Sequence, residues 1–312
     1  MMSLIQFTVP TLEKPERLDV YASQNQNLTR SRLKQGIEYI KVNNKDVKLS
    51  YKLKGGESVE IFFEDPIPKD ILPENIPLNI LYDDENVTVV NKFQGMVTHP
   101  GAGNWSGTLV NALLYYWEKT ANQEENQNYR TGIVHRLDKD TSGVIITAKN
   151  RESEEWLQKK FYKRKVYKEY IAIVKGKPAK KHGEIKTHIV RDSKNRKRFV
   201  ATEDTSKGKF SYTEYFCLGS YGEYSLMRLK LHTGRTHQIR VHLKYIGCPI
   251  LGDPIYSRVD SNFKTATLML HARVLGIKLP NGEKKFFKAP VPKRFKAILK
   301  SLREKYKKVV ME

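Results

Sequence analysis

The chain has 312 residues, enough for a sizeable core and about two domains. Its 56 lysines and arginines against 34 aspartates and glutamates give a formal net charge of +22. This charge indicates phosphate backbones or anionic membranes as partners. A membrane partner fits less well because no run approaches the roughly 18 apolar residues of a spanning helix, and no signal-peptide core opens the chain. The two cysteines, Cys217 and Cys248, are too few for a disulfide scaffold and indicate a reduced, cytoplasmic protein.

Residues 1–65 form the first predicted domain, a small and basic α/β unit. Apolar side chains recur at near-helical spacing over residues 28–40, which predicts a helix there. Residues 41–47 have the pattern of a strand, a turn and a strand, and residues 59–63 that of a further strand after a Gly-Gly turn. The other faces of the helix carry basic side chains, namely Arg30, Arg32 and Lys34.

The pattern over residues 16–63 resembles the small RNA-binding module shared by a ribosomal small-subunit protein and tyrosyl-tRNA synthetases. The resemblance implies that the basic helix and the turn after it, including Lys41, hold structured RNA. Asn44 stands where that family usually has glycine, but asparagine tolerates a positive φ, so the turn can be kept. The alternative is a small basic domain without affinity for RNA.

The rest of the chain predicts a linker, a large domain and a tail. Residues 66–79 are rich in proline and lack periodicity, which predicts an extended linker. Residues 80–292 contain runs of strands with interspersed helices and no regular strand–helix–strand alternation. They therefore predict an α+β domain with a mixed, mainly antiparallel sheet and flanking helices. Residues 293–312 have the pattern of a basic C-terminal helix or tail, for which a solvated surface is the expected role.

The elements of the large domain follow from its periodicity. A hairpin is predicted over residues 80–90, followed by a glycine-rich loop and a helix over residues 108–119. The loop lacks the GxxxxGK[ST] pattern of a phosphate-binding loop, so we expect it to be structural. Further on, the pattern predicts an amphipathic basic helix over residues 151–165 and strands over residues 166–174 and 227–232.

A polar cluster lies between two β-branched runs in residues 132–149. The runs, Ile133-Val134 and Val144-Ile145-Ile146, predict two strands joined by a polar turn. The turn contains two carboxylates, Asp138 and Asp140, close to an arginine. A carboxylate beside an arginine can stay ionised and serve as a nucleophile or a base.

Three segments carry the candidate chemistry: HRLDKDTSG at residues 135–143, KEY at residues 168–170, and LHTGRTHQIRVHL at residues 231–243. Together with GCPILGDPIY at residues 247–256, they resemble the RluA/RluD-type pseudouridine synthases, and the similarity extends over residues 80–292. The resemblance implies a reaction in which uracil is detached from its ribose, rotated and rejoined through carbon. That family uses neither a cofactor nor a metal.

The resemblance assigns the catalytic carboxylate to Asp138 and leaves Asp140 a structural role. A carboxylate suits the reaction because it can stabilise a sugar-derived electrophile or remove a proton beside it. Arg136 matches the arginine that enters the space left by the target base, since base chemistry requires the nucleotide to leave the stack. Tyr170 matches the catalytic tyrosine that stacks on the flipped base and can abstract a proton late in the reaction, whereas Tyr167 falls on the other face of the strand.

Arg235 matches the arginine that pairs with the catalytic aspartate. We expect it in the first turn of a helix that opens at Thr233-Gly234, where its charge would keep Asp138 ionised. The remaining predicted contacts with substrate, in addition to Arg136, are His135, Thr141, Lys168 and Arg240.

The histidines of the third segment lack the HExxH or paired Cys/His spacing of a zinc site, so we predict neither metal nor cofactor. The leading hypothesis is a cytoplasmic, monomeric pseudouridine synthase that acts on structured RNA, with large-subunit ribosomal RNA favoured. Transfer RNA is an alternative substrate, and a catalytically silent RNA-binding or ribosome-assembly factor is an alternative function. A methyltransferase fits less well because no glycine-rich cofactor loop follows an early strand.

Overall fold

The computed structural model describes residues 2–25, 37–64, 71–101, 103–120 and 132–306. The chain divides into two compact units, residues 1–70 and 71–312. Among the described helices, none is both long and apolar enough to cross a membrane.

The first unit is built on a small antiparallel sheet. Its elements are β1 (Met2–Thr8), β2 (Glu16–Arg17), α1 (Leu18–Asn25), β3 (Ile37–Val42), β4 (Lys45–Asp46), β5 (Lys52–Leu53) and β6 (Ser58–Glu64). The four-stranded sheet has the order β1-β6-β3-β4, and β2 pairs separately with β5. Asn43 and Asn44 join β3 to β4 with φ values of 49° and 62°, a conformation that asparagine adopts more readily than most residues. The predicted turn is therefore present without glycine.

The helix predicted over residues 28–40 is wrong at its end, because residues 37–40 belong to β3. Here the β-branched and aromatic side chains pair with β6 in a sheet, where alternate residues face the core. Arg30, Arg32 and Lys34 lie outside the described residues. Lys41 lies on β3, with its Nζ 4.8 Å from the centre of the Tyr39 ring.

The second unit holds the larger sheet. Its strands are β7 (Ile80–Asp83), β8 (Val87–Lys92), β9 (Ser142–Ala148), β10 (Tyr167–Lys175), β11 (His182–Arg191), β12 (Phe199–Thr202), β13 (Lys209–Tyr221), β14 (Tyr224–Leu231), β15 (Leu270–Lys278) and β16 (Lys284–Lys288). Its helices are α2 (Leu109–Thr120), α3 (Arg151–Tyr162), α4 (Gln238–Tyr245) and α5 (Lys293–Lys305).

The strand order β12-β11-β13-β14-β10-β15-β9-β8-β7, with β16 beside β15, confirms a mixed, mainly antiparallel α+β fold. The parallel pairing in this sheet joins β15 to β9 through His271 with Ser142 and Ala272 with Gly143. Gly143 has a φ of 120°, and a Cβ at this position would overlap the carbonyl oxygen of Ala272. Only glycine fits this close approach of the two strands, which fixes where the aspartate segment enters the sheet.

Three predicted element boundaries differ from the structure. Ile133 forms only an isolated bridge with Thr147, so the first β-branched run is not a strand. Helix α3 ends at Tyr162 because Arg164 takes a left-handed φ of 55°, and the N–H of Arg164 bonds the carbonyl of Phe161. Helix α4 begins at Gln238 rather than directly after the Thr233-Gly234 turn.

Candidate active site

The aspartate loop, residues 136–141, is held by donors from the end of β8 and the turn after it. The hydroxyl of Thr98 donates to the carbonyl of Leu137 at 2.9 Å. The N–H of Thr141 closes the loop on the carbonyl of Asp138 at 3.0 Å. The carbonyl of Lys139 accepts from the N–H of Gly95, and the carbonyl of Asp140 accepts from the side-chain amide of Gln94. Because successive carbonyl oxygens are all bonded, the side chain of Asp138 is presented from a fixed backbone.

Lys92 is a buried lysine that joins β8 to this loop. Its Nζ donates to the carbonyl oxygens of Phe93, Met96 and Lys139 at 3.0, 2.8 and 3.1 Å. The three protons of an ammonium group match these three acceptors. Burial lowers the pKa of Lys92 to about 7. The negative charge of Asp138 and, more weakly, that of Asp140 oppose this shift. Lys92 was not among the residues predicted from the sequence.

Replacing Lys92 by methionine is expected to lower the free energy of unfolding by about 2–4 kcal/mol, because loop carbonyls lose a buried donor. Between pH 7 and pH 10 this loss should grow. In that range the unfolded chain still binds the lysine proton, whereas the folded wild type releases it above its pKa of about 7, so wild-type stability rises with pH. Urea unfolding at several pH values measures both effects. Lys139→Met, which removes an exposed charge from the same loop, is the control; equal losses in the two variants contradict the prediction.

Arg240 is the cation that pairs with Asp138. Its Nη1 lies 3.2 Å from Oδ2 of Asp138, and its Nε and Nη2 bond the two carboxylate oxygens of Asp253 at 2.8 and 2.9 Å. The side chains of Arg240 and Asp253 are 5% and 0% exposed, whereas that of Asp138 is 23% exposed. Burial would lower the pKa of Arg240, but the hydrogen bonds and charge of Asp253, then those of Asp138, outweigh it and raise the pKa. The guanidinium of Arg240 is therefore a fixed positive charge that contacts the carboxylate of Asp138.

The prediction that Arg235 pairs with Asp138 is wrong. Arg235 precedes helix α4, and its Nε donates to the carbonyl of Phe210 at 3.1 Å. The buried amide of Gln238 determines this geometry, because its Oε1 accepts from the hydroxyl of Thr233 and from the N–H of Arg235. The segment between Thr233 and Gln238 is therefore a loop, and the helix begins only at Gln238. Arg235 remains at the rim of the pocket beside Asp138, and Arg240, predicted only as a substrate contact, has the paired position.

Asp138 lies in a pocket of about 140 Å³. Tyr170, predicted as a catalytic residue, and Arg136 and Thr141, predicted as substrate contacts, also line this pocket, and Arg136 is exposed at its edge. Burial, and then the charge of Asp138, raise the pKa of Tyr170. Tyr170 is therefore a neutral phenol in the same pocket as the Asp138 carboxylate, and Tyr167 does not line this pocket.

His135 is used inside the fold rather than in the pocket. Its Nε2 accepts the N–H of Ile146 at 3.0 Å, and its ring stacks on Phe161 with centroids 4.5 Å apart. Burial, and then the charge of Lys168, lower the pKa of His135 to about 3, so it is a neutral acceptor. This placement corrects the prediction that His135 contacts substrate. Lys168 does not line the Asp138 pocket but borders an adjoining groove.

His237 is a pocket residue that the sequence indicated only within a histidine-rich segment. It precedes α4 with a left-handed φ of 55°, and its Nε2 lies 3.7 Å from Oδ2 of Asp138. The Tyr256 hydroxyl accepts the N–H of Phe199 and lies 2.9 Å from Nδ1 of His237, which favours a proton on Nε2 facing Asp138. Burial lowers the pKa of His237 and the charge of Asp138 opposes this shift. A non-glycine residue in this conformation beside a carboxylate marks a site under constraint.

Two further histidines, His242 in the third segment and His271 on β15, have hydrogen-bonding roles. His242 is buried between the hydroxyls of Thr187 and Thr213, at 3.1 and 2.9 Å, and His271 lies 2.9 Å from the hydroxyl of Ser142. Within the described ranges, no group of three or more His, Cys, Asp and Glu side chains is arranged to hold a metal ion.

Comparison with known proteins identifies the class to which this fold and pocket belong. Residues 86–245 match the family model described as RNA pseudouridylate synthase. The solved structure of human RNA pseudouridylate synthase domain containing 4 covers 75% of this chain and is itself 95% covered, with 26% identity and a TM-score of 0.61.

Individual relatives are closer in sequence. A protein of Borreliella burgdorferi named ribosomal large subunit pseudouridine synthase D is 45% identical over 297 residues, which cover 93% of this chain and 90% of the relative. The uncharacterized RNA pseudouridine synthase YlyB of Bacillus subtilis is 38% identical, with 97% and 99% of the two chains covered. The chain belongs to the RNA pseudouridylate synthase family and is an RNA-modifying isomerase.

Proposed function

We propose that the enzyme converts uridine to pseudouridine in large-subunit ribosomal RNA, with Asp138 as the catalytic carboxylate. The observation that supports this most is that Arg240 joins the pocket carboxylate of Asp138 to the buried carboxylate of Asp253. A carboxylate beside a fixed guanidinium is oriented and charged before substrate arrives, which lowers the cost of reorganisation during reaction. Relatives whose names refer to the large ribosomal subunit support the substrate, which implies a cytoplasmic location.

In the proposed reaction the bond between N1 of uracil and C1′ of ribose breaks, and a bond between C5 and C1′ forms. The proton on C5 leaves and N1 gains one, so the product is an isomer of the substrate. The carboxylate of Asp138 acts on the reacting nucleoside as a nucleophile or as a base. Arg240 neutralises part of its charge in either role.

The target uridine must leave the stack to reach Asp138. Tyr170 offers an aromatic face for the flipped base at the side of the pocket. Its raised pKa keeps the hydroxyl protonated, which favours stacking and hydrogen-bond donation over proton abstraction. In this proposal Arg136 fills the gap left in the RNA and contacts phosphate, which its exposure at the edge of the pocket supports.

The test of this function uses RNA transcribed in vitro, which carries no modification. Wild-type protein is incubated with large-subunit ribosomal RNA and, separately, with transfer RNA, and pseudouridines are mapped to single positions. We expect a discrete set of positions in the ribosomal RNA. Product in transfer RNA alone would replace the proposed substrate, and product in neither RNA would contradict the function.

We also propose that the first unit binds RNA. It has its own apolar core and its own sheet, so it is built as a module rather than as an extension of the pocket. Lys41 lies on its β3 strand beside the Tyr39 ring, a pairing of cation and aromatic that suits contact with nucleic acid.

Deletion of residues 1–70 is expected to weaken RNA binding at least about tenfold, because two linked binding units gain affinity from their connection. Conversion at saturating RNA should persist, since Asp138 and its partners belong to the second unit. Equilibrium binding to the ribosomal transcript and single-turnover assays measure the two quantities. Unchanged affinity and unchanged choice of sites in the truncated protein would contradict the role of the module.

A further inference from the structure

A second groove adjoins the pocket of Asp138. Leu231 lines both, and Nζ of Lys168 in the groove lies close to Gly234 of the pocket, 3.6 Å from where a Cβ would stand. The groove has a volume of about 570 Å³, and none of its lining residues is acidic. Its basic side chains are Arg164, Lys165, Lys168, Lys230, Lys278 and Lys284.

Three cations where the groove meets the pocket lack a carboxylate partner. Among the described residues, no carboxylate lies within ion-pair distance of Arg164, Lys168 or Arg235, whereas Lys230 further along pairs with Glu214 at 3.4 Å. Burial, then the charges of Arg164 and Arg235, lower the pKa of Lys168 to about 8. A partly buried positive charge without a counterion favours binding of an anion from outside.

The backbone conformation at Arg164 gives no structural reason for an arginine at the end of helix α3. Arg164 follows α3 in the left-handed position at a φ of 55°, where its N–H and that of Lys165 bond the carbonyls of Phe161 and Lys160. Glycine is the favoured residue at this position because a Cβ is strained there. An exposed arginine in a strained position, with no carboxylate partner in the part of the chain that the structure describes, indicates a function outside the fold.

The groove also has aromatic faces. The rings of Tyr167 and Phe286 lie 5.9 Å apart at its wall, and Phe286 is 48% exposed. Bases of single-stranded RNA stack on exposed aromatic rings while their phosphates contact lysine and arginine. The combination of unpaired cations and aromatic rings therefore matches a single strand of RNA in chemistry.

We propose that Arg164, Lys168 and Arg235 hold the phosphodiester backbone next to the target uridine, and that the groove takes the adjoining nucleotides of the same strand. The proposal rests on the proposed function, since it places the flipped uridine at Asp138. The strand leaves the pocket past Leu231 and continues along Lys230 and Phe286. Recognition of the strand flanking the target would then depend on this groove rather than on the pocket alone.

The test uses Arg164→Gly in the full-length protein. Glycine relieves the left-handed strain, so we expect an unchanged or higher Tm together with a several-fold rise in Kd and KM for a ribosomal transcript. The slope of log K against log salt should fall by about 0.7, the value for one phosphate contact with a single strand. Arg164→Lys, which keeps the charge, should retain most of the affinity.

Lys159→Gln is the matched control, because it removes one exposed positive charge from α3, the helix that Arg164 follows, but lies outside the groove. It should leave Kd and the salt slope at their wild-type values. An unchanged Kd in Arg164→Gly, or an equal change in Lys159→Gln, contradicts the proposed role of the groove in RNA binding. The proposed function is unaffected by that result as long as the wild type forms pseudouridine. Arg164-dependent RNA binding by a wild type that forms no pseudouridine would instead overturn the proposed function.

Discussion

Asparagine in place of Asp138 is expected to abolish pseudouridine formation, with a loss of at least about 10⁴-fold in turnover. The amide has nearly the same shape as the carboxylate but is neither a nucleophile nor a base. The fold should persist because Arg240 keeps both hydrogen bonds to Asp253 when the charge of Asp138 is removed. RNA affinity should also persist, since it depends mainly on phosphate contacts spread over the protein.

Asp140→Asn is the control for this prediction. Asp140 lies two residues away in the same loop, and its carbonyl, which accepts from Gln94, is unaffected by the substitution. Single-turnover assays on the ribosomal transcript, with filter binding and thermal unfolding alongside, compare the two variants. Activity retained in Asp138→Asn, or lost equally in Asp140→Asn, would remove Asp138 from the chemistry.

The sequence identified the pocket but not its charge network. The motif at residues 135–143 predicts a polar turn with a carboxylate, and the structure has such a turn at the entrance to β9. Local spacing could not choose between Arg235 and Arg240, because the choice depends on where the helix begins. That start is determined by the Gln238 amide, which bonds the loop before it.

Other supporting residues were missed because they are distant in sequence. Asp253 reaches Arg240 from beyond the end of α4, and Lys92 reaches the aspartate loop from the end of an earlier strand. A buried lysine at the end of an apolar strand resembles a solvated terminal residue in sequence. Only the fold shows that its ammonium group lies among three carbonyls.

The fold class was predictable for a different reason. Burial alternates with a period of two over most of β11, β13 and β14, and β8, β10 and β14 were placed within a few residues. The helix predicted over residues 28–40 was wrong at its end because the apolar residues there fit both the helical period of 3.6 and the strand period of two. In residues 37–42 the buried side chains are Ile40 and Val42, two residues apart, and pairing with β6 decided for a strand.

Methionine in place of Arg240 is expected to reduce both activity and stability. It leaves Asp253 fully buried without a cation and removes the partner of Asp138. Breaking one half of a buried ion pair costs about 3–5 kcal/mol in the free energy of unfolding. Arg240→Lys should be intermediate, because lysine keeps the charge but cannot bond both oxygens of Asp253 and reach Asp138 together.

A double variant separates the two effects. Arg240→Met with Asp253→Leu replaces the buried pair by apolar side chains, which can be nearly neutral for stability. Two backbone N–H groups, those of Ile255 and Tyr256, also bond Asp253, so part of the loss should remain. We therefore expect the double variant to unfold at higher urea than Arg240→Met and yet to stay as inactive. If the double variant regains both activity and stability, Arg240 serves only the fold. If it regains stability but not activity, Arg240 is needed in catalysis as the charge partner of Asp138.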